Sequence, residues 1–345
     1  MGQTNFFNIS YNDLKGALER EELNPSGARL LYNYLFKKLA LTFDIPNLAK
    51  ETKSFLEERF TLKLPTILKV LKEDQAGKTT YKFLMEFFDE RVVECVLIPF
   101  QGKYTLCLSS QVGCAMKCSF CFTGTQGLTR SLETSEIVGQ LMAAKHWVKE
   151  QGLSLKLSNI VFMGQGEPLH NFEAVKKACE IFLSQYGLSF AREKITISTA
   201  GYLPGLKEWA KDPLSVNLAL SLHCGDDKIR NELIPLNKAY PLKDVLEVIK
   251  ELPLEKKRFV TFEVLLIKDL NDSVGFAHEI AELVKDCHPL INIIPFNPFP
   301  GSDYQRPLDD KLNSFKEVTE SYGIPTMVRK TKGDAILAAC GQLTS

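Results

Sequence analysis

Residues 107–127 read CLSSQVGCAMKCSFCFTGTQG and set Cys114, Cys118 and Cys121 in a C-x3-C-x2-C pattern. A short run with strand character, Tyr104, Leu106 and Leu108, leads into it, and a loop rich in Gly, Ser and Thr carries it onward. Thiols crowded this closely along a chain point to one metal centre rather than to a hydrophobic core. Their number matters. A structural zinc site closes its shell with four ligands, whereas a reactive centre keeps a position open. Clustered thiolates also hold iron–sulfur cubanes, so three cysteines suit a 4Fe–4S cluster whose fourth iron is left for another ligand. A zinc site completed by a distant Cys or His fits the same local pattern.

The rest of the chain has the composition of a soluble globular protein, 45% hydrophobic and 24% charged over 345 residues. That length implies about two domains, or one barrel-sized domain with an appendage. Lys plus Arg equals Asp plus Glu at 42 each, so net charge gives no global sign of nucleic-acid binding. Nine cysteines, an odd number, with no basic n-region and apolar h-region at the start, suggest a reducing cytoplasm. No run approaches the roughly 18 apolar residues of a membrane span, so no membrane partner is expected.

Residues 1–65 read as a small helical domain. Ser26 is expected to N-cap a helix carrying Leu30, Leu31, Tyr34, Leu35 and Leu39, and a second helix covers Glu51 to Phe60. Residues 66–100 alternate as strands around the turn-like Gln75-Ala76-Gly77-Lys78 and read as a small β linker. Glu94 interrupts an apolar strand there. A solvent-facing position accounts for it as well as a functional one does. From residue 101 to 345, strands and helices alternate. The first strand is Tyr104–Leu108, Thr134 caps the helix that follows, and five later apolar strands complete six. Repeated β-α units imply a parallel sheet with helices outside, and six of them imply an α/β partial (β/α)6 barrel. Active residues in such a barrel gather at the strand C-terminal ends. Each apolar strand does run into a polar cluster: the cysteine loop, then Gly164-Gln165-Gly166-Glu167-Pro168, Ser198-Thr199, Ser221-Leu222-His223, and Pro295-Phe296-Asn297-Pro298.

Taken with the tail, MVRKTKGDAILAACGQL, these segments resemble a known family. GCAMKCSFCFTGTQGL, SNIVFMGQGEPLHN, ITISTAGYLPG, LSLHCGDDKIRNELIPLNKAYPL, IIPFNPFPGSDYQRP and that tail match, in order, the radical S-adenosylmethionine (SAM) RNA methyltransferases of the RlmN and Cfr family, most of all the RlmN branch. The match runs from about Val92 to Leu343 and is loose over the head. It implies a 4Fe–4S cluster on Cys114, Cys118 and Cys121. It also implies SAM held by Gly166, Glu167, Ser198, Ser221, Leu222, His223 and Asn297. Two SAM molecules serve each turnover, one methylating Cys340 and the other supplying the radical that abstracts hydrogen from that methyl group. Cys107 takes the place of the thiol that resolves the RNA adduct through a transient disulfide with Cys340, and Glu94 that of the proton acceptor. The implied partners are 23S rRNA, tRNA and an electron donor such as flavodoxin with its reductase, acting on a monomer. The implied product is adenosine methylated at C2, in the peptidyl-transferase region of 23S rRNA and 3′ of some tRNA anticodons; methylation at C8 is the alternative within the family. The basic run Arg329-Lys330-Thr331-Lys332 suits phosphate or a solvated strand edge equally. Four positions depart from the family pattern: Phe122, Gln165, Ala335 and Leu337.

Overall fold

The structure, a computed structural model, describes residues 2–212, 216–253 and 258–344. Seven parallel strands follow one another in chain order: Lys103–Cys107, Leu157–Phe162, Ile195–Thr199, Asn217–Ser221, Val260–Leu266, Pro289–Pro295 and Thr326–Val328. Helices Thr134–Glu150, Phe172–Leu183, Leu203–Lys211, Leu242–Lys250, Val274–Val284 and Asp309–Ser321 return the chain from each strand to the next. The expected six β-α units are therefore present. Thr326–Val328 was not expected, because three residues at a sheet edge are too few for alternation to show.

The antiparallel strands Thr66–Gln75, Lys78–Glu86 and Val92–Phe100 do not form a separate linker. Val92–Phe100 pairs with Lys103–Cys107 in the register Val96↔Cys107, so one ten-stranded sheet runs from Thr326–Val328 to Thr66–Gln75. The boundary at residue 100 falls in a two-residue turn of that sheet, Gln101–Gly102, both at positive φ. This continuity sets Glu94 and Cys107 on neighbouring strands at one end of the barrel.

Two helix starts lie one residue from where the sequence suggested. Ser26 is the first helical residue, with Asn24 Oδ1 accepting its N–H at 3.0 Å, and a π-helical turn, Asn33–Lys37, follows Ser26–Tyr32. The helix from Thr134 is capped by Glu133, which forms a reciprocal capping box with Glu136. The head shares its core with the barrel: Phe6, Phe7, Tyr32 and Phe36 are fully buried within the same apolar cluster as Ile137 and Leu141. Asn8 fastens it to the Thr134–Glu150 helix by accepting the Ser135 N–H at 2.6 Å, and Tyr11 stacks on Tyr186.

Candidate active site

The strand ends and the tail surround a cavity of about 900 Å³, its open side included, within the size range of small-molecule sites. Cys114, Cys118 and Cys121 form one wall. A two-stranded clasp, Gln111–Gly113 against Leu128–Ser131, holds their loop, and the Cys114 N–H donates to Gly127 O at 2.8 Å. Gly113 is required at the clasp. Its φ is +74°, and a Cβ there would stand 1.9 Å from Gly127 O. Phe122 stacks on Phe299 with ring centroids 5.2 Å apart, which accounts for an aromatic residue at this departure from the family pattern.

Burial pushes the Cys114 thiol up to about 12, and burial with the neighbouring Cys121 and Cys114 raises Cys118 well above its usual value; Cys121 is raised by burial as well. The protein surroundings alone thus keep these groups as thiols. Bound iron deprotonates a coordinating thiol outright, so three neighbouring sulfurs on the wall of an open cavity fit the donor set of a cluster with a free coordination position. Among the described residues, no three Cys, His, Asp or Glu side chains converge tightly enough to share a single ion.

Gly166, Glu167, Ser198, Ser221 and His223 line the same cavity. Gly166 sits at φ +99° where a Cβ would lie 2.6 Å from the Gln111 Cβ, so the chain passes close beneath the site. Glu167 accepts the Ala200 N–H at 2.7 Å and the Leu169 N–H at 3.0 Å, while burial raises its pKa to about 7. His223 Nδ1 accepts the Leu265 N–H at 3.1 Å, so the neutral ring carries its proton on Nε2. Burial, and then Arg230, lower its pKa to about 3.

Two expected SAM contacts are placed differently. The Leu222 side chain is in the hydrophobic core, because neighbouring strand residues face opposite ways, and its carbonyl accepts from Arg230. Asn297 does not line the cavity. Its Nδ2 donates to Cys340 O at 3.1 Å and its Oδ1 accepts from the Thr331 hydroxyl, which ties the tail to this strand end.

Cys340 opens onto the cavity, whereas Cys107 does not line it and is buried against Val96, Ala338 and Leu343. Burial, reinforced by Cys340, pushes the Cys107 thiol up to about 12. Both are free thiols. Cys95, Cys179, Cys224 and Cys287 are all buried, consistent with their reading as small hydrophobes. Glu94 is 3% exposed, not solvent-facing. Its carboxylate pairs with Lys82 Nζ at 2.8 Å and accepts the Thr344 N–H at 2.8 Å. Burial raises its pKa, against the opposing pull of Lys82.

The sequence reading missed Lys82, Arg230, Glu263 and the role of Arg329. Arg329, the first residue of the basic run, lines the cavity. It lies 3.6 Å from Glu263 Oε2, and the field of Cys340, ahead of Glu263 and Cys107, raises its pKa. Gln165 accepts the Glu94 N–H at 3.0 Å, tying the glycine-rich turn to the Glu94 strand. Ala335 donates its N–H to Glu73 at 3.1 Å, and Leu337 turns at φ +49° with its carbonyl on Lys82.

The family model for the Radical SAM superfamily matches residues 108–280. The chain is 39% identical over 342 residues to the dual-specificity RNA methyltransferase RlmN of Bdellovibrio bacteriovorus, across 99% of this chain and 84% of that protein. It is 38% identical over 339 residues to RlmN of Aliarcobacter butzleri, covering 94% and 93%. A crystal structure of a radical SAM methyltransferase from Sphaerobacter thermophilus superposes with a TM-score of 0.89 at 36% identity, over 99% of each chain.

Proposed function

The chain belongs to the RlmN family of radical SAM RNA methyltransferases, which use a 4Fe–4S cluster and SAM, and from that membership we propose that it methylates C2 of adenosine through a methyl group carried on Cys340. The substrates are an adenosine in the peptidyl-transferase region of 23S rRNA and the adenosine 3′ of a tRNA anticodon. The observation that carries this reading is the convergence of Cys340 on the same cavity as Glu167 and as Cys114, Cys118 and Cys121, the three cysteines lying more than 200 residues before it in sequence.

When bound, the cluster and SAM, with electrons from a donor of the flavodoxin class, supply a one-electron route to a carbon radical that a polar methyl transfer to an sp2 ring carbon lacks. The three cysteines hold the cluster. Glu167, on the wall beside them, accepts hydrogen bonds from the SAM ammonium in its ionised form. The neutral His223 presents its Nε2–H, and Ser198 and Ser221 their hydroxyls, as polar contacts.

Cys340 acts as a thiolate nucleophile: its sulfur bonds to a methyl carbon as the bond from that carbon to the departing sulfur breaks. The Arg329 guanidinium, which also lines the cavity, lies within the electrostatic reach of both sulfurs. Once the carried carbon has joined the adenine ring, Glu94, buried on the strand beside that of Cys107 and outside the cavity lining, is the base that takes the ring proton. Its raised pKa brings it toward the range where a carboxylate both ionises and accepts a proton. The ring's odd electron leaves to a one-electron acceptor of the cluster class as the ring proton goes to Glu94. Cys107 then gives up its own proton and bonds to the Cys340 sulfur, and the electron pair of the breaking sulfur–carbon bond, together with a proton, completes the methyl group of the freed RNA.

The test is reaction of the reconstituted enzyme with 23S rRNA fragments and tRNA, read by mass spectrometry. 2-Methyladenosine from the wild type, none from Cys340→Ala, and a covalent RNA–protein adduct from Cys107→Ala are expected. Either 8-methyladenosine or product formation by Cys340→Ala refutes the reading.

A further inference from the structure

Cys340 has to meet SAM, RNA and Cys107 in turn, so what anchors its loop bears on every step. The loop's ends are fastened by a single buried ion pair. Lys82 Nζ, on Lys78–Glu86, donates to Leu337 O at 3.1 Å and to Glu94 Oε1 at 2.8 Å. The other oxygen of Glu94 accepts the Thr344 N–H at 2.8 Å. Leu337 and Thr344 bracket Cys340, three residues before it and four after.

Both side chains are nearly inaccessible, at 4% and 3%. A buried pair adds little net stability over apolar residues of similar size, because desolvation offsets the attraction. Its value here therefore lies in what it fixes. Other ties to the tail exist, among them Lys332 to Gln75 at 2.7 Å and Ala335 N–H to Glu73 at 3.1 Å, but these lie at the surface, where such contacts contribute least. The cluster loop adds neutral ties: Phe122 N–H donates to Gly341 O at 2.7 Å and the Thr123 hydroxyl to Leu343 O at 2.7 Å. Among these contacts the Lys82–Glu94 pair is buried and charged, and it reaches both flanks of Cys340.

We propose that Lys82 and Glu94 form a clamp that holds the Cys340 loop over the cavity, which makes Lys82 a positioning residue for methyl transfer. The role in methyl transfer rests on Cys340 being the methyl carrier; the clamp itself does not. Lys82 reaches no reacting atom. It acts through the loop and through the carboxylate that serves as base.

The experiment is hydrogen exchange by mass spectrometry on the full chain, comparing peptides covering 333–344 with those covering 78–100. Lys82→Met is expected to speed exchange of the tail amides by about tenfold or more, the effect of losing hydrogen bonds to a charged donor, while amides of 78–100 stay protected. Glu94→Gln is expected to speed it less, because the amide oxygen still accepts from Thr344. The double variant is expected to exchange no faster than Lys82→Met alone, since the two residues act as one unit. Tail exchange equal to wild type in Lys82→Met, or effects that simply add in the double variant, overturns the clamp. If the strands around 78–100 also loosen in Lys82→Met, tail exchange in Glu94→Gln decides on the same criterion. S-methylation of Cys340 is read by mass in the same preparations. If the wild type never carries the methyl group, the carrier reading fails while the exchange result still decides the clamp.

Discussion

Replacing Arg230 with Met tests how the mouth of the barrel is held together. Arg230 is 1% exposed and gathers four acceptors: Ala200 O at 3.1 Å, Ser221 O at 2.9 Å, Leu222 O, and Asn237 Oδ1 at 3.0 Å. These span the ends of two neighbouring strands and the helical segment after them, so one guanidinium spaces the wall that carries Ser221 and His223. Met has similar length and no donors. Each orphaned buried acceptor costs about 2 kcal/mol, giving about 8 kcal/mol for four. Against this stands relief from burying the charge. Burial lowers the Arg230 pKa from 12.5 to about 10, a desolvation effect of about 3 kcal/mol at 1.36 kcal/mol for each pH unit. The net loss is about 5 kcal/mol, comparable to the whole stability of many domains. Urea denaturation of the cofactor-free chain at pH 7.5 measures it directly. Arg230→Lys, which keeps the charge but loses the fork, is expected to fall between the two. A loss below about 1 kcal/mol for Arg230→Met refutes the argument that these carbonyls depend on the guanidinium.

Two further outcomes follow from the same site. His223 has its pKa lowered to about 3 in the fold against 6.5 in the open chain, so the unfolded chain binds the proton first as pH falls. Stability from this group is complete above 6.5 and declines from there down to about 3. Between pH 6.5 and 5 this group's share is a decline of about 2 kcal/mol, read as the difference between the wild type and His223→Asn in urea titrations of the cofactor-free chain, because the raised Glu167 carboxyl works the other way in the same window. No difference in slope between the two contradicts the assignment. Gly113→Ala forces a Cβ onto Gly127 O at a positive φ, a strain of about 2 kcal/mol or more. The expected result is a folded chain that retains much less iron after reconstitution than the wild type, read by iron analysis and absorbance; wild-type iron content refutes it.

Much of this site was legible because its chemistry is local. Three cysteines within eight residues, a glycine-rich turn with Glu167, and polar residues ending apolar strands are each short-range patterns. Alternating strands and helices implied the parallel sheet, and barrel geometry then implied that those strand ends share one mouth. Glu94 was ambiguous for a physical reason. Alternation along a strand gives two faces but does not say which is buried.

The sequence by itself determined the fold class, the cluster thiols and the strand-end residues, since these follow from periodicity and close spacing; the tail thiol stood out only through the family resemblance of its segment. Only the tertiary structure decided how the parts meet. Lys82 lies on the Glu94 carboxylate because the register pairs Lys82 with Val96 and Leu84 with Glu94, making the two charged residues diagonal neighbours. A shift of one residue would turn either side chain to the other face. Arg329 shares the cavity with Cys340 because it directly follows the sheet's last strand, Thr326–Val328, whose end reaches the cavity. Asn297 holds the tail, and the Leu222 side chain enters the core, because each position's facing depends on packing across elements far apart in the chain. Such contacts leave no periodic trace in the sequence.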